Sequence, residues 1–225
     1  MPTQARFGRR FAPDPRDRLF HLPRAVEPSK LTQKTWFTRA VFDQGTTSQC
    51  VAYAGAGWLV AGPVNNPSPP PFEELYKDCQ DNDEWPGSDY EGTSVRGLFR
   101  VLKRRGYVSE YRWAWTLEPA VNHILDIGPM VFGTNWYTGM METDEDGFLR
   151  VAGELAGGHA YLVVGANRLR ACPDGSKGAI RIVNSWGRPW GQAGRAWISF
   201  KDAQRLLDLD GEAATAWETV PPPSA

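Results

Sequence analysis

Residues 50–61, CVAYAGAGWLVA, are small or apolar at almost every position, and the run stops before Gly62-Pro63. A helix that is apolar on all sides belongs in the middle of a protein. The pattern predicts a central buried helix beginning near Ser48, a residue type that caps helix N-termini. A second, short helix is predicted over FEELYKDC, residues 72–79. In SVRGLFRVLKRRG, Val95, Leu98, Val101 and Leu102 fall on one face with Arg and Lys opposite, and Gly106 ends the helix. Residues 118–128 repeat the pattern with Val121, Ile124 and Leu125. Beyond Gly128 the period shortens. MVFGTNW, GFLRV, HAYLVVGA, AIRIVNS, RAWISF and AATAWETV predict strands, punctuated by turn signals such as Asp146-Gly147 and Asp174-Gly175. One late helix, KDAQRLLDL, interrupts them. Helices first and antiparallel strands later predict an α+β fold of two lobes, with a site in the cleft between them. The chain divides into an extended arm (1–35), a helical lobe (36–128) and a β lobe (129–225).

Composition changes this picture little. At 225 residues, with 41% hydrophobic and 23% charged, the chain suits one two-lobed globular domain. Charge changes it more. The net charge is −1, yet residues 1–40 hold nine basic and three acidic residues, so the rest is acidic. A basic arm before an acidic body reads as a strap on its own domain, or else as a device for docking on a protein assembly. The strap is the preferred reading. No stripe of basic residues interleaved with aromatics marks a nucleic-acid surface. No apolar run reaches the length of a membrane helix, and the first twenty residues lack the apolar centre of a secretory signal. Cys50, Cys79 and Cys172 therefore read as reduced thiols in a reducing, cytoplasmic compartment, too scattered for a zinc site. No metal or cofactor is expected.

Three places carry candidate chemistry. Cys50 opens the buried helix, with Gln44 six positions before it. His159 follows Gly157-Gly158, a pair that lets the backbone turn and leaves room beside the imidazole. Asn184 ends a strand and opens NSWGRPWG. A nucleophilic thiolate needs a lowered pKa, which a helix N-terminus and a nearby imidazolium both supply. The imidazole needs a partner that fixes its orientation, and an Asn oxygen can accept from a ring N–H. The Gln44 side chain and the Cys50 backbone N–H can donate to a tetrahedral oxyanion, while Trp186 can keep water off an Asn–His bond.

The order Gln, Cys, His, Asn, within QGTTSQC, GGHAYLVVG and NSWGRPWGQAGRAWI, closely resembles the papain-like cysteine peptidases over about residues 36–207. EGTSVRGLFRVLKRRG followed by GPMVFGTNWY resembles their compact bacterial and bacteriophage branch. The resemblance implies a papain-like fold, a helical lobe facing an antiparallel, β-barrel-like lobe. It implies Cys50 as nucleophile, His159 as general acid and base, Asn184 as orienter and Gln44 as oxyanion donor. It further implies that Gly92, Gly158 and Trp186 line the substrate cleft, Gly92 through a backbone wall that pairs with substrate ahead of the scissile bond. Thr47 stands where the family has a cysteine, so the family's disulfide to the position of Cys79 cannot form. Val51 replaces the tryptophan after the nucleophile. Cys50 and His159 lie closer in sequence than the roughly 130–150 residues of the papain group, which implies trimmed β-lobe loops. Residues 1–35 are too short and irregular for the folded inhibitory propeptide of secreted relatives, leaving the arm itself as a candidate for controlling access.

Two other readings stay open: a papain-like domain kept as a structural component, for instance of a virion, and an amidase of cell-wall peptide. His21 and His123 read as surface or packing residues, Cys79 and Cys172 as buried thiols, and ETDEDG (142–147) as a solvated hairpin tip.

Overall fold

The computed structural model describes residues 7–22, 28–87 and 89–219. The first six residues of the arm, its residues 23–27 and the last six of the β lobe lie outside them. In chain order come β1 (Gln33–Thr35), α1 (Cys50–Val60), α2 (Phe72–Gln80), α3 (Val95–Arg104), β2 (Val108–Ala114), α4 (Leu117–Asp126) and β3 (Met130–Tyr137). They are followed by β4 (Leu155–Ala171), β5 (Lys177–Val183), β6 (Arg195–Ser199), α5 (Phe200–Asp208) and β7 (Glu212–Thr219). Every helix read from the apolar spacing forms. The arm, expected to be extended, carries a 3₁₀ turn at Pro15–Phe20, capped by the Asp14 side chain on the Arg16 N–H. Strand β2 escaped the pattern, and GFLRV forms only isolated bridges, Thr143 to Leu149 and Phe148 to Trp197.

The strands pair in the order β2-β7-β3-β4-β5-β6, all antiparallel, with β1 added against β4. The sheet is open, so the expected barrel-like closure is corrected: β2 and β6 stand at opposite ends. Side chains alternate between its two faces. Val131, Ala160, Leu162 and Val164 meet α1 and α3 on one side. Met130, Phe132, Tyr161 and Val163 meet α4 and α5 on the other. Both faces are buried, and each enclosed Leu, Val or Phe contributes roughly 1.5–3 kcal/mol.

Helix α1 sits where the apolar run places it, with every residue but Tyr53 buried. Its small residues let neighbours approach the backbone. A Cβ on Gly55 would lie 2.4 Å from Leu98 Cδ1 of α3, and one on Gly57 would touch Leu162 of β4 at 3.5 Å. Gly55→Val should cost about 1–3 kcal/mol through overpacking and lower the thermal midpoint. An unchanged midpoint would mean that Leu98 can swing aside. The N-cap is Gln49, without a side-chain bond, rather than Ser48. Ser48 instead donates to Glu91 Oε2 at 2.8 Å. That carboxylate, 43 residues away, competes successfully with the local cap.

Candidate active site

Cys50 is the first residue of α1, so its sulfur lies at the positive end of the helix dipole. The backbone N–H groups of Ala160, Gly8 and Val51 face it. These favour the thiolate, but complete burial outweighs them and holds the thiol above its ordinary pKa. Ala160 precedes Tyr161 on β4, so the strand delivers His159 one residue from the sulfur contact.

The far side of the imidazole is fixed. His159 Nε2 lies 2.8 Å from Asn184 Oδ1, and the same oxygen accepts the Ser185 backbone N–H at 2.8 Å. A backbone N–H can only donate, so it sets which way the Asn184 amide faces, and Nε2 must then be the donor to Oδ1. The neutral ring therefore carries its lone pair on Nδ1, which has no hydrogen-bond partner among the described residues. Trp136 and Trp186 enclose the ring at 4.8 and 5.0 Å between centroids. This dry setting lowers the imidazole pKa to about 4, against the opposing pull of Asn184.

Gln44 is tied to the same corner. Its backbone N–H donates to the Ser185 carbonyl at 2.8 Å, and its Oε1 accepts from Ser185 Oγ at 2.6 Å. Oε1 being held, Nε2 is oriented, with one N–H on the Thr47 carbonyl at 2.6 Å. Gln44, Asn184 and His159 are thus linked through Ser185, and Cys50 meets the same strand, β4, at the Ala160 N–H.

The arm lies across this seam. Phe7 packs edge-on to His159 and Trp186, with centroids 5.8 and 6.1 Å away. Gly8 passes over Cys50 so closely that a Cβ there would sit 1.8 Å from the Ser48 carbonyl oxygen. Arg9 N donates to the Gly158 carbonyl at 3.0 Å, Arg10 N to the Thr93 carbonyl at 2.9 Å, and Thr93 N to the Gly8 carbonyl at 2.8 Å. The Gly8 carbonyl is thereby turned to Thr93. Further along, buried Asp17 accepts from Arg96 Nε at 2.8 Å, and Leu22 N donates to the Trp113 carbonyl. The described part of the basic arm is a strap on its own domain.

Gly158 and Trp186 lie in this cleft beside the strap. Gly92 lies there too, at φ +88°, and a Cβ on it would meet the Gly8 oxygen at 2.3 Å. Its backbone, however, pairs elsewhere: Gly92 N donates to the Tyr76 hydroxyl at 2.7 Å. The wall that hydrogen-bonds to the chain in the cleft is Thr93, one residue on. Thr93, Ser185, Trp136 and the strap residues Phe7–Arg10 were missed from sequence. Of these only Ser185 had a local signal, within NSWG. His123 is buried, 3.2 Å from Thr215 Oγ1, and all three cysteines are free and buried. Among the described residues no cluster of His, Cys, Asp and Glu is arranged to hold a metal ion, and no helix is long and apolar enough to cross a membrane.

No family model matches the chain. It is 27% identical over 124 residues to cathepsin B-like cysteine proteinase 3 of Ostertagia ostertagi, a stretch covering 54% of this chain and 67% of that one. Among solved structures it resembles xylellain, a cysteine protease from Xylella fastidiosa, with a TM-score of 0.71 at 18% identity over 96% of this chain and 97% of that one. Procathepsin B S9 from Trypanosoma congolense gives 0.64 at 15% identity over 95% and 87%. Bromelain from Ananas comosus gives 0.61 at 12% identity over 83% and 98%.

Proposed function

We propose that this chain, a papain-like cysteine peptidase, hydrolyses internal peptide bonds with Cys50 as nucleophile, His159 as acid and base, Asn184 as orienter and Gln44 as oxyanion donor. The observation that carries the reading is the strap itself. An extended backbone already crosses the sulfur, paired on one side with Thr93 and on the other with Gly158, and continuing past His159. A substrate whose residues ahead of the scissile bond pair with this Thr93 wall would run the opposite way to the strap, which pairs with Thr93 in parallel. Its carbonyl would then face Gln44 Nε2 and the Cys50 N–H rather than Thr93. His159 Nδ1 takes the thiol proton as Cys50 attacks that carbonyl carbon. The imidazolium returns the proton to the leaving amine, and a thioester remains. Water attacks the thioester, His159 takes the water proton, and the acid product departs with the thiol restored. The three free thiols support a reducing compartment.

Reaction of the whole chain with an epoxide inhibitor of cysteine peptidases, followed by intact mass and peptide mapping, tests the assignment. A single adduct on Cys50, suppressed in His159→Ala, is the expected result. Labelling of Cys79 or Cys172 instead, or equal labelling of Cys50 without His159, would overturn it.

A further inference from the structure

Arginines gather on the outer face of β5 and β6. In the ladder between these strands Arg181 faces Trp197, and Val183 faces Arg195. Ile180, Ile182, Ala196 and Ile198 alternate with them and pack with Leu206 of α5 on the opposite face. Arg170 reaches the same place from the end of β4. Its Cζ lies 4.2 Å from the centre of the Trp197 ring, and Arg181 Cζ lies 4.8 Å from that ring. Arg188 stands beside Pro189, which lines the catalytic groove, and its charge is felt at Arg195. The four therefore form a row that starts at the edge of the groove and ends at Trp197.

The row is not neutralised within the chain. Elsewhere the fold gives its enclosed arginines carboxylates. Arg9 of the strap donates to Glu212 Oε1 at 3.0 Å, Arg96 to Glu84 Oε1 at 3.0 Å and Arg168 to Glu118 Oε1 at 2.7 Å. In the row, Arg170 donates to the Asp146 carbonyl, Arg181 to Gln192 Oε1, and Arg195 to the Ala193 carbonyl and the Thr38 hydroxyl. All of these acceptors are neutral. Burial, and then the charges of Arg170 and Arg195, lower the Arg181 pKa to about 10. The group is still charged at neutral pH, so the repulsion persists in the folded chain. The indole face supports two of the cations without cancelling either charge. Their positions are fixed all the same. Gly147 presses on the residue that holds Arg181, since a Cβ there would sit 2.3 Å from Gln192 Cδ. Guanidinium groups laid against a ring keep N–H edges for a planar oxyanion, which would supply the missing charge.

The groove says which oxyanion. A substrate that runs opposite to the strap carries its residues after the scissile bond past His159 and Trp186 to Trp190 and Gly191. Gln192 follows at once, bound to Arg181. The groove itself is lined by Asp43, Glu91 and Glu142, so acidic residues of a substrate are repelled there and attracted just beyond it. We propose that Arg170, Arg181 and Trp197, with Arg188 and Arg195 leading to them, form a docking site for an acidic peptide segment, and that this segment lies downstream of the scissile bond in the protein being cleaved. The second half rests on the assignment of Cys50 and His159 made above.

Binding needs no catalysis and is measured first. A fluorescein-labelled peptide of six glutamates is titrated with the full chain carrying Cys50→Ala, at physiological salt, and its anisotropy is followed. The glutamate peptide should bind and a six-glutamine peptide should not. Binding should weaken at least tenfold in Arg181→Gln and in Arg170→Gln, and stay as it was in Arg104→Gln, whose guanidinium pairs with Asp78. Thermal midpoints of the two row variants should hold or rise, because a like charge is removed. No binding, equal binding by the row variants, or weakening only where the midpoint falls overturns the proposal. So does a single-stranded oligonucleotide that binds more tightly and displaces the peptide, which would make the row a phosphate site. Turnover is then read in the full chain carrying Gly8→Leu, to keep the strap out. Two unfolded protein substrates differ only in a C-terminal tail of six glutamates or six glutamines. The glutamate-tailed one should be cleaved with a kcat/KM at least about fivefold higher, and the ratio should fall to within about twofold when Arg181→Gln is added. Equal cleavage despite binding overturns the substrate role and leaves the peptidase assignment standing. Cleavage of neither, with no epoxide adduct on Cys50, overturns that assignment and the substrate role with it.

Discussion

Cys50→Ala is expected to lower kcat/KM for peptides by at least about 10⁴-fold, the scale seen when a nucleophile is removed from an enzyme of this chemistry. His159→Ala should cost as much, and the double variant no more than either single one, because the two groups act as one unit. Gln44→Ala should cost less, about 10²–10³-fold, since the Cys50 backbone N–H remains as a second oxyanion donor. Asn184→Ala should lose activity by freeing the tautomer and ring orientation that the Nε2–Oδ1 bond now fixes. The assay is best run with the strap released, and thermal midpoints of all four variants report whether the fold is kept. Cys50→Ala turning over peptide at the parental rate would place the nucleophile elsewhere and end the reading.

The four residues proposed for catalysis could be picked out in the sequence because each sits in a short local pattern. Cys50 opens an unmistakable buried helix, Asn184 directly follows the end of β5, and His159 follows a glycine pair that the structure places inside β4 rather than at the start of the strand. The helices were legible for the same reason, since α3 and α4 repeat their apolar faces every third or fourth residue. Strand β2 was not, because Ser109 and Glu110 interrupt its alternation and its partner β7 lies about a hundred residues on. Thr93 and Glu212 were hidden for a deeper reason. Nothing near Thr93 marks it as the wall that pairs with a chain in the cleft, and Gly92 beside it has the more suggestive residue type. Glu212 follows a turn at the start of a strand and looks like any surface acid. Only the fold brings it 203 positions back to Arg9. The strap shows the same limit. Its charge was visible, but the place where it lies depends on the tight passage of Gly8 over Ser48.

That passage carries the other large expectation. Gly8→Leu should expel the strap and raise the rate of Cys50 labelling and of peptide turnover by about 10²-fold. The Cβ of any larger residue would meet the Ser48 carbonyl at 1.8 Å, against backbone that the start of α1 holds in place. Among the contacts that keep the strap in the cleft are three backbone hydrogen bonds. At about 1 kcal/mol each, with the Arg9–Glu212 pair counted as neutral, they favour closure by about 3 kcal/mol, which is roughly 10²-fold. The pH profile should move as well. In the closed state burial keeps Cys50 a protonated thiol and His159 a neutral imidazole whose pKa is near 4. Labelling of the parent chain should therefore rise only toward alkaline pH. With the strap gone, water returns and removes the burial that raised one pKa and lowered the other. The helix N-terminus and the backbone N–H groups of Val51 and Ala160 then favour the thiolate, so the rise should move to lower pH. A variant that labels no faster than the parent, with the same pH profile and an unchanged thermal midpoint, would show that the strap does not gate the site. A variant that labels faster only where the fold is lost would show the same. Faster labelling in a folded chain, with the profile shifted toward acid, would mean that one glycine keeps the enzyme shut by letting a strand of its own chain fit where substrate belongs.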